Sequence, residues 1–251
     1  INEPMSLNMM EDVAIIKIPS FANSYLKKHQ QHFKKEIKSF MKELQKNNIK
    51  QLLIDLRGNT GGSDSNPAFL SSYFFEEEYE YWESIEVSPA LAKDVSGINR
   101  IFYGKPSYQE GKWLWSDKGL LSKEFKFTRI QEPAKAPFKG ELYMLTDGLC
   151  LSSSADFAAI MQANQKALII GEESGGGYQG NTSGLIPSQE LACGLVIDVP
   201  LLKYINAVPA DRNYARGTIP DIELLPSLEE LEEDASYLKR VIEEIKKEKE
   251  K

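Results

Sequence analysis

Apolar residues recur along the chain in two rhythms. Val13–Ile18, Gln51–Leu56, Glu141–Leu145 and Ala167–Ile170 are short, nearly continuous apolar runs. Their length and β-branched content are those of buried strands. Between them lie helical periods. Leu26, Phe33, Ile37, Phe40, Met41 and Leu44 share one face of a helix predicted from about Asn23 to Asn47. Pro67 and the apolar residues up to Phe75 predict a second helix, and Ser152–Ala163 a third. Leu195–Val199 and Leu201–Ile205 read as further strands. Ser227 and Glu230 carry a capping-box signal, and Leu228, Leu231, Ala235, Leu238, Val241 and Ile245 follow at helical spacing. One C-terminal helix is therefore predicted over 227–250, with acids first and lysines last, as its dipole favours. Strands alternating with helices indicate an α/β fold with much parallel sheet.

Residues 76–138 break this rhythm. They hold turn signals at Tyr103–Pro106, a proline-rich stretch from Pro133 to Pro137, and all three tryptophans. The segment reads as an insertion of short strands and loops, either a lid over a site or a β extension of the core. The whole chain, 1–251, is expected to form one core domain around it.

Composition narrows the function mainly by exclusion. A formal net charge of −7 argues against nucleic acid as the main partner, because phosphate contacts need clustered cations. No apolar run approaches the ~18 residues of a membrane helix, and no signal segment is visible. Two cysteines, Cys150 and Cys193, provide neither a disulfide framework nor a zinc cluster. The only histidines, His29 and His32, lack the spacing of a zinc helix and read as structural or solvated.

Three loops carry candidate chemistry. In Asp147–Asp156 a strand turns into a helix through Ser152, Ser153 and Ser154. A serine there faces unpaired N–H groups and the positive end of the helix dipole, which suits a nucleophile and equally suits a plain N-cap. Cys150 beside it is a rival nucleophile or simply core filler. The second loop runs from Asp55 through Arg57 to Gly61 and Gly62, whose N–H groups are candidate oxyanion donors. The third, Gly171–Gly184, lacks the Gly-Lys-Ser/Thr ending of a phosphate loop and reads as a channel wall. Gly176, Gly177, Tyr178 and Asn181 are its candidate substrate contacts.

Four segments in order, LLIDLRGNTGG, LTDGLCLSSSADFAAIMQ, KALIIGEESGGG and GTIPDIEL, resemble the motifs of the C-terminal processing, tail-specific and tricorn-core peptidases. The resemblance spans about Val13–Phe75 and Glu141–Leu225. It implies a crotonase-like spiral of β-β-α units and a serine peptidase acting on polypeptides, without metal or organic cofactor. Aligned on Asp156 it implies Ser153 as nucleophile, with Ser152 and Ser154 as alternative registers. It also implies oxyanion donors at Ser154 and at Gly61 or Gly62. Two departures stand out. The loop Ser174–Tyr178 lacks the lysine of Ser-Lys relatives, and Lys17 stands where tricorn-like members have a histidine. Lys17 is thus the candidate base. The PDZ domain of many relatives is absent from this chain. The resemblance further implies the periplasm or cell envelope; it leaves the oligomeric state open. The missing bases keep a second reading in play, a relative that binds peptide or an apolar ligand without hydrolysis. A crotonase-type acyl-CoA enzyme rests on fold analogy alone.

Overall fold

The computed structural model describes residues 3–94, 104–115, 130–184 and 186–249. A six-stranded sheet forms its centre, in the order β1 (Ser6–Met10), β2 (Val13–Lys17), β3 (Gln51–Asp55), β7 (Glu141–Thr146), β8 (Leu168–Gly171) and β13 (Ile222–Glu223). β1 is antiparallel to β2, and the remaining pairs are parallel. The apolar runs are continuous because helices cover both faces. Ala14, Ile16, Leu52, Ile54, Met144 and Ile169 face α2 (Phe33–Lys46), α3 (Ser65–Ser71) and α5 (Ser153–Ala163). Their neighbours Val13, Ile15, Leu53, Leu145 and Ile170 face Tyr237, Val241, Ile242 and Ile245 of α7 (Asp234–Lys249).

Two predicted helices are broken. The first divides into α1 (Asn23–Lys28) and α2, because Gln30 takes a φ of 58° and Gln31 is pinned to the Met5 backbone in both directions at 2.8 Å. At the C-terminus the capping box of Ser227 and Glu230 opens only the short α6 (Leu228–Glu232), and Glu233 interrupts the helix before α7. Leu228 and Leu231, expected on the buried stripe, are instead 84% and 66% exposed.

The segment 76–138 belongs to a second sheet. It supplies β4 (Trp82–Val87), α4 (Pro89–Asp94), β5 (Ser107–Gln109) and β6 (Lys112–Leu114). β9 (Gly180–Ser183) and β12 (Leu202–Asn206) complete an antiparallel order β5-β6-β4-β12-β9. Trp82 is buried there against Tyr81 and Tyr204. The parts of the insertion at 95–103, including the first residue of the Tyr103–Pro106 turn, and at 116–129 lie outside the described residues, as does residue 250. β10 (Ser188–Glu190) and β11 (Val196–Asp198) form a separate exposed hairpin. Among the described residues no helix is long and apolar enough to cross a membrane.

Candidate active site

Loops at the carboxyl ends of β3, β7 and β8 converge on one spot, as parallel sheets arrange their sites. Asn59, fully buried, joins them. Its Nδ2 donates to the Ile18 carbonyl at 2.9 Å, and its Oδ1 accepts from Gly61 N–H at 2.9 Å. Its carbonyl accepts from Leu151 N–H at 3.2 Å. Asp147 stitches the same loops, accepting from Gly58 N–H and Leu149 N–H, each at 2.9 Å. Neither residue stands out in the sequence, since each looks like ordinary turn chemistry. On the far side Arg57 binds Asp55 through Nε at 2.9 Å and Nη2 at 2.6 Å.

The serine turn has a definite geometry. Ser152 adopts φ 50°, ψ −131°, a conformation that costs a non-glycine residue on the order of 1–3 kcal/mol. Helix α5 begins at the next residue. Ser152 is half-buried, whereas Ser153 and Ser154 are both 0% exposed. The Ser153 hydroxyl is enclosed without a hydrogen-bond partner, and that of Ser154 is enclosed beside the Cys150 thiol. Ser153, expected as the nucleophile, is therefore closed off where Ser152 is open.

The oxyanion donors re-sort in the same sense. Ser154 N–H is spent on the Leu151 carbonyl at 3.0 Å, and Gly61 N–H on Asn59. The N–H groups of Ser153 and Gly62 have no acceptor among the described residues. Gly62 also runs against the first segment of the chain: its Cα faces Ala22 so closely that a Cβ would lie 2.1 Å from the Ala22 nitrogen. The donors left free are thus the N–H of Ser153, the residue after Ser152, and that of Gly62, the residue after the Gly61 that packs on Ser152.

Of the expected substrate contacts, Gly176 reaches the turn, where a Cβ would lie 3.2 Å from Ser152 N and 2.5 Å from Ala155 Cβ. Gly177 is folded against the Gly180 carbonyl. Tyr178 is fully buried and Asn181 donates to Asp156 at 2.7 Å, so both are committed to the interior. The loop is held from behind. Ser174 Oγ accepts from Thr218 N–H at 2.8 Å, and Asp221 accepts from Ile169 N–H at 2.8 Å, which accounts for the closing Gly217–Asp221 motif.

Lys17, expected as the base, is drawn into an ion pair. Burial disfavours the Lys17 charge, but its ion pair with Glu3 at 2.9 Å and the nearby Asp55 and Asp234 raise its pKa overall. An ammonium so held does not take up a proton at neutral pH. Cys150 is buried, donates to the Leu56 carbonyl at 3.2 Å, and has its pKa pushed up by desolvation, so it is no nucleophile. His29 ends α1 beside Tyr25, and His32 precedes α2.

A pair of carboxylates underlies the site: Asp156, which the sequence offered only as an alignment mark, and Asp64, which carried no sequence signal. Asp156, 1% exposed, accepts from Asn206 Nδ2 at 3.0 Å and Asn181 Nδ2 at 2.7 Å. Asn206 Nδ2 also donates to the Tyr178 carbonyl at 2.9 Å. Asp156 N–H in turn donates to the Ser152 carbonyl at 3.0 Å. The second sheet, the glycine loop and the serine turn therefore meet at one acid. Burial pushes the Asp156 pKa up to about 7, against its amide donors and with help from Asp64. Burial likewise raises Asp64 to about 6, opposed by a hydrogen bond from Tyr204.

A strained serine followed by a free N–H group, at the carboxyl edge of a parallel sheet, is an arrangement that suits acyl transfer. The chain belongs to peptidase family S41, whose family pattern matches residues 12–224. Solved structures share the fold. Mature CPAF complexed with lactacystin matches with a TM-score of 0.60 at 15% identity, over 94% of this chain and 53% of that one. A candidate peptidase from Parabacteroides merdae matches with a TM-score of 0.55 at 16% identity, over 91% of this chain and 60% of that one. The chain thus spans between half and three fifths of the length of these two structures.

Proposed function

We propose that this chain is the core of a serine peptidase that cleaves polypeptides through an acyl-enzyme, with Ser152 as nucleophile. Ser152 Oγ attacks the peptide carbonyl and gives up its proton, and the N–H groups of Ser153 and Gly62 meet the oxyanion; the C–N bond then breaks, the amine fragment leaves with that proton, and water hydrolyses the ester to a free carboxyl group and the serine hydroxyl. The observation that carries this reading is the coincidence at Ser152 of accessibility, positive φ and a free N–H on the following residue. The central sheet with its helices is read as a crotonase-like spiral of β-β-α units, and the second sheet as its cap, within a single core. The periplasm or cell envelope follows from the family resemblance alone.

A peptide-binding relative without hydrolysis is favoured by one observation: Lys17 is tied up by Glu3, and Ser174–Tyr178 contains no lysine to replace it. Fluorophosphonate labelling with peptide mapping separates the readings. Modification of Ser152 supports the peptidase. Modification of Ser153 restores the motif alignment, and no modification alongside peptide binding favours the non-hydrolytic relative.

A further inference from the structure

The chain is acidic overall, yet residues 23–46 carry seven lysines against two glutamates. Among the described residues none of these seven, Lys27, Lys28, Lys34, Lys35, Lys38, Lys42 and Lys46, enters an ion pair. One end of this basic surface is concave. Asn23, Lys27, His32, Lys34, Ser65 and Asn66 line a pocket of about 420 Å³ with no carboxylate in its wall. Lys34 Nζ sits 5.3 Å from the Phe69 ring, which holds it on the α3 side. Asp64, the acid nearest in sequence, is instead bonded by Tyr204.

The pocket begins where the oxyanion loop ends. Asn23 Nδ2 donates to Ser63 Oγ at 2.9 Å, and Asn66 Nδ2 donates to the Phe21 carbonyl at 2.8 Å, beside the Phe21–Gly62 bridge. Ser65 lies three positions after Gly62, a reach of at most about 11 Å. An extended peptide rises about 3.3 Å per residue, so a residue two to four positions from the scissile bond spans that distance.

We infer that this pocket is a substrate subsite for acidic side chains, receiving Asp or Glu of a bound polypeptide between Lys27, His32 and Lys34. The inference rests on the peptide-processing reading of Ser152. Concavity and carboxamide lining suit a carboxylate better than a flat lipid surface. A membrane-binding helix would also show large apolar side chains to solvent, and among the described residues none of those exposed falls within 23–46.

The test uses the full chain carrying Ser152→Ala and fluorescein-labelled ten-residue peptides, read by anisotropy. One set carries Asp or Glu two to four residues from the centre; a matched set carries Asn or Gln. The acidic set is expected to bind about fivefold tighter, from two or three partly exposed ion pairs. That preference is expected to vanish in Lys27→Ala/Lys34→Ala and near 1 M salt, where the Debye length is about 3 Å. Lys42→Ala/Lys46→Ala, with the same change of charge, is expected to keep it. Equal or absent binding of the two sets overturns the inference, as does equal loss in both lysine pairs. Binding to phosphatidylserine vesicles that Lys27→Ala/Lys34→Ala abolishes, without acidic-peptide preference, assigns the surface to membranes instead. Acid-selective binding by a parent chain that cleaves neither set leaves the subsite standing and sinks the peptidase reading.

Discussion

Gly61 and Ser152 are in backbone-to-side-chain contact: a Cβ on Gly61 would lie 2.9 Å from Ser152 Cβ and 2.8 Å from the Leu151 carbonyl oxygen. Gly61 also holds φ 94°, a conformation that side chains avoid. Gly61→Ala should therefore displace the serine turn, and a misplacement of about 1 Å costs on the order of 100-fold in rate. Gly148 lies in the same turn, and a Cβ there would meet nothing within 4 Å. Steady-state peptide hydrolysis should fall about 100-fold in Gly61→Ala and stay near the parent in Gly148→Ala. Equal effects would refute a local role for the contact.

Exposure divides the serines. Ser152→Ala should abolish hydrolysis by at least about 10³-fold, the scale of losing a nucleophile. Ser153→Ala, a change inside a sealed space, should retain rates within about tenfold. The reverse order would return the nucleophile to Ser153.

Asp156 makes stability depend on pH. Its folded pKa of about 7 lies above the ordinary carboxylate value, so the native state binds a proton that the unfolded chain has lost. Its contribution is complete below about pH 4 and declines as pH rises to about 7; Asp64, at about 6, acts in the same direction. Three pKa units bound the effect of Asp156 at about 4 kcal/mol. Asp156→Asn removes the titration. The buried, unpartnered Oδ1 of Asn181 offers the new amide an acceptor once that side chain flips, while Asn206 goes on donating to the remaining oxygen. Melting curves between pH 4 and 9 should show a weaker alkaline loss in the variant, and parallel curves would count against the assignment.

Arg57 balances a buried charge. Asp55 is 1% exposed and Arg57 is its cationic partner, with Asp234 at 2.7 Å on the other side. Arg57→Ala should destabilise by about 3–5 kcal/mol, because it leaves a carboxylate buried without its cation. Adding Asp55→Asn should recover part of this in urea unfolding. An unstable double variant with no recovery would mean that Arg57 acts by packing on Tyr237, whose ring lies 5.2 Å from its guanidinium carbon.

Much of the architecture was legible in short-range pattern. β2, β3, β7 and β8 announced themselves as apolar runs, and the Ser227–Glu230 cap is a three-residue relationship that the structure reproduces. The break at Gln30 was not legible, since it depends on Gln31 docking to Met5, 26 residues away. The place of Trp82 was equally hidden. Its strand pairs with β12, more than a hundred residues later, so the segment looks like an insertion until that partner is known.

The sequence by itself determined the parallel sheet, the three loops at its carboxyl edge and the serine cluster within one of them, because these follow from local periodicity and turn chemistry. Only the tertiary structure decided which serine is presented, which N–H groups are left free, and that Lys17 belongs to Glu3. Those outcomes depend on burial and on partners distant in sequence. Neighbouring serines carry identical chemistry in the chain and differ only in burial, Ser152 half-buried and Ser153 and Ser154 enclosed.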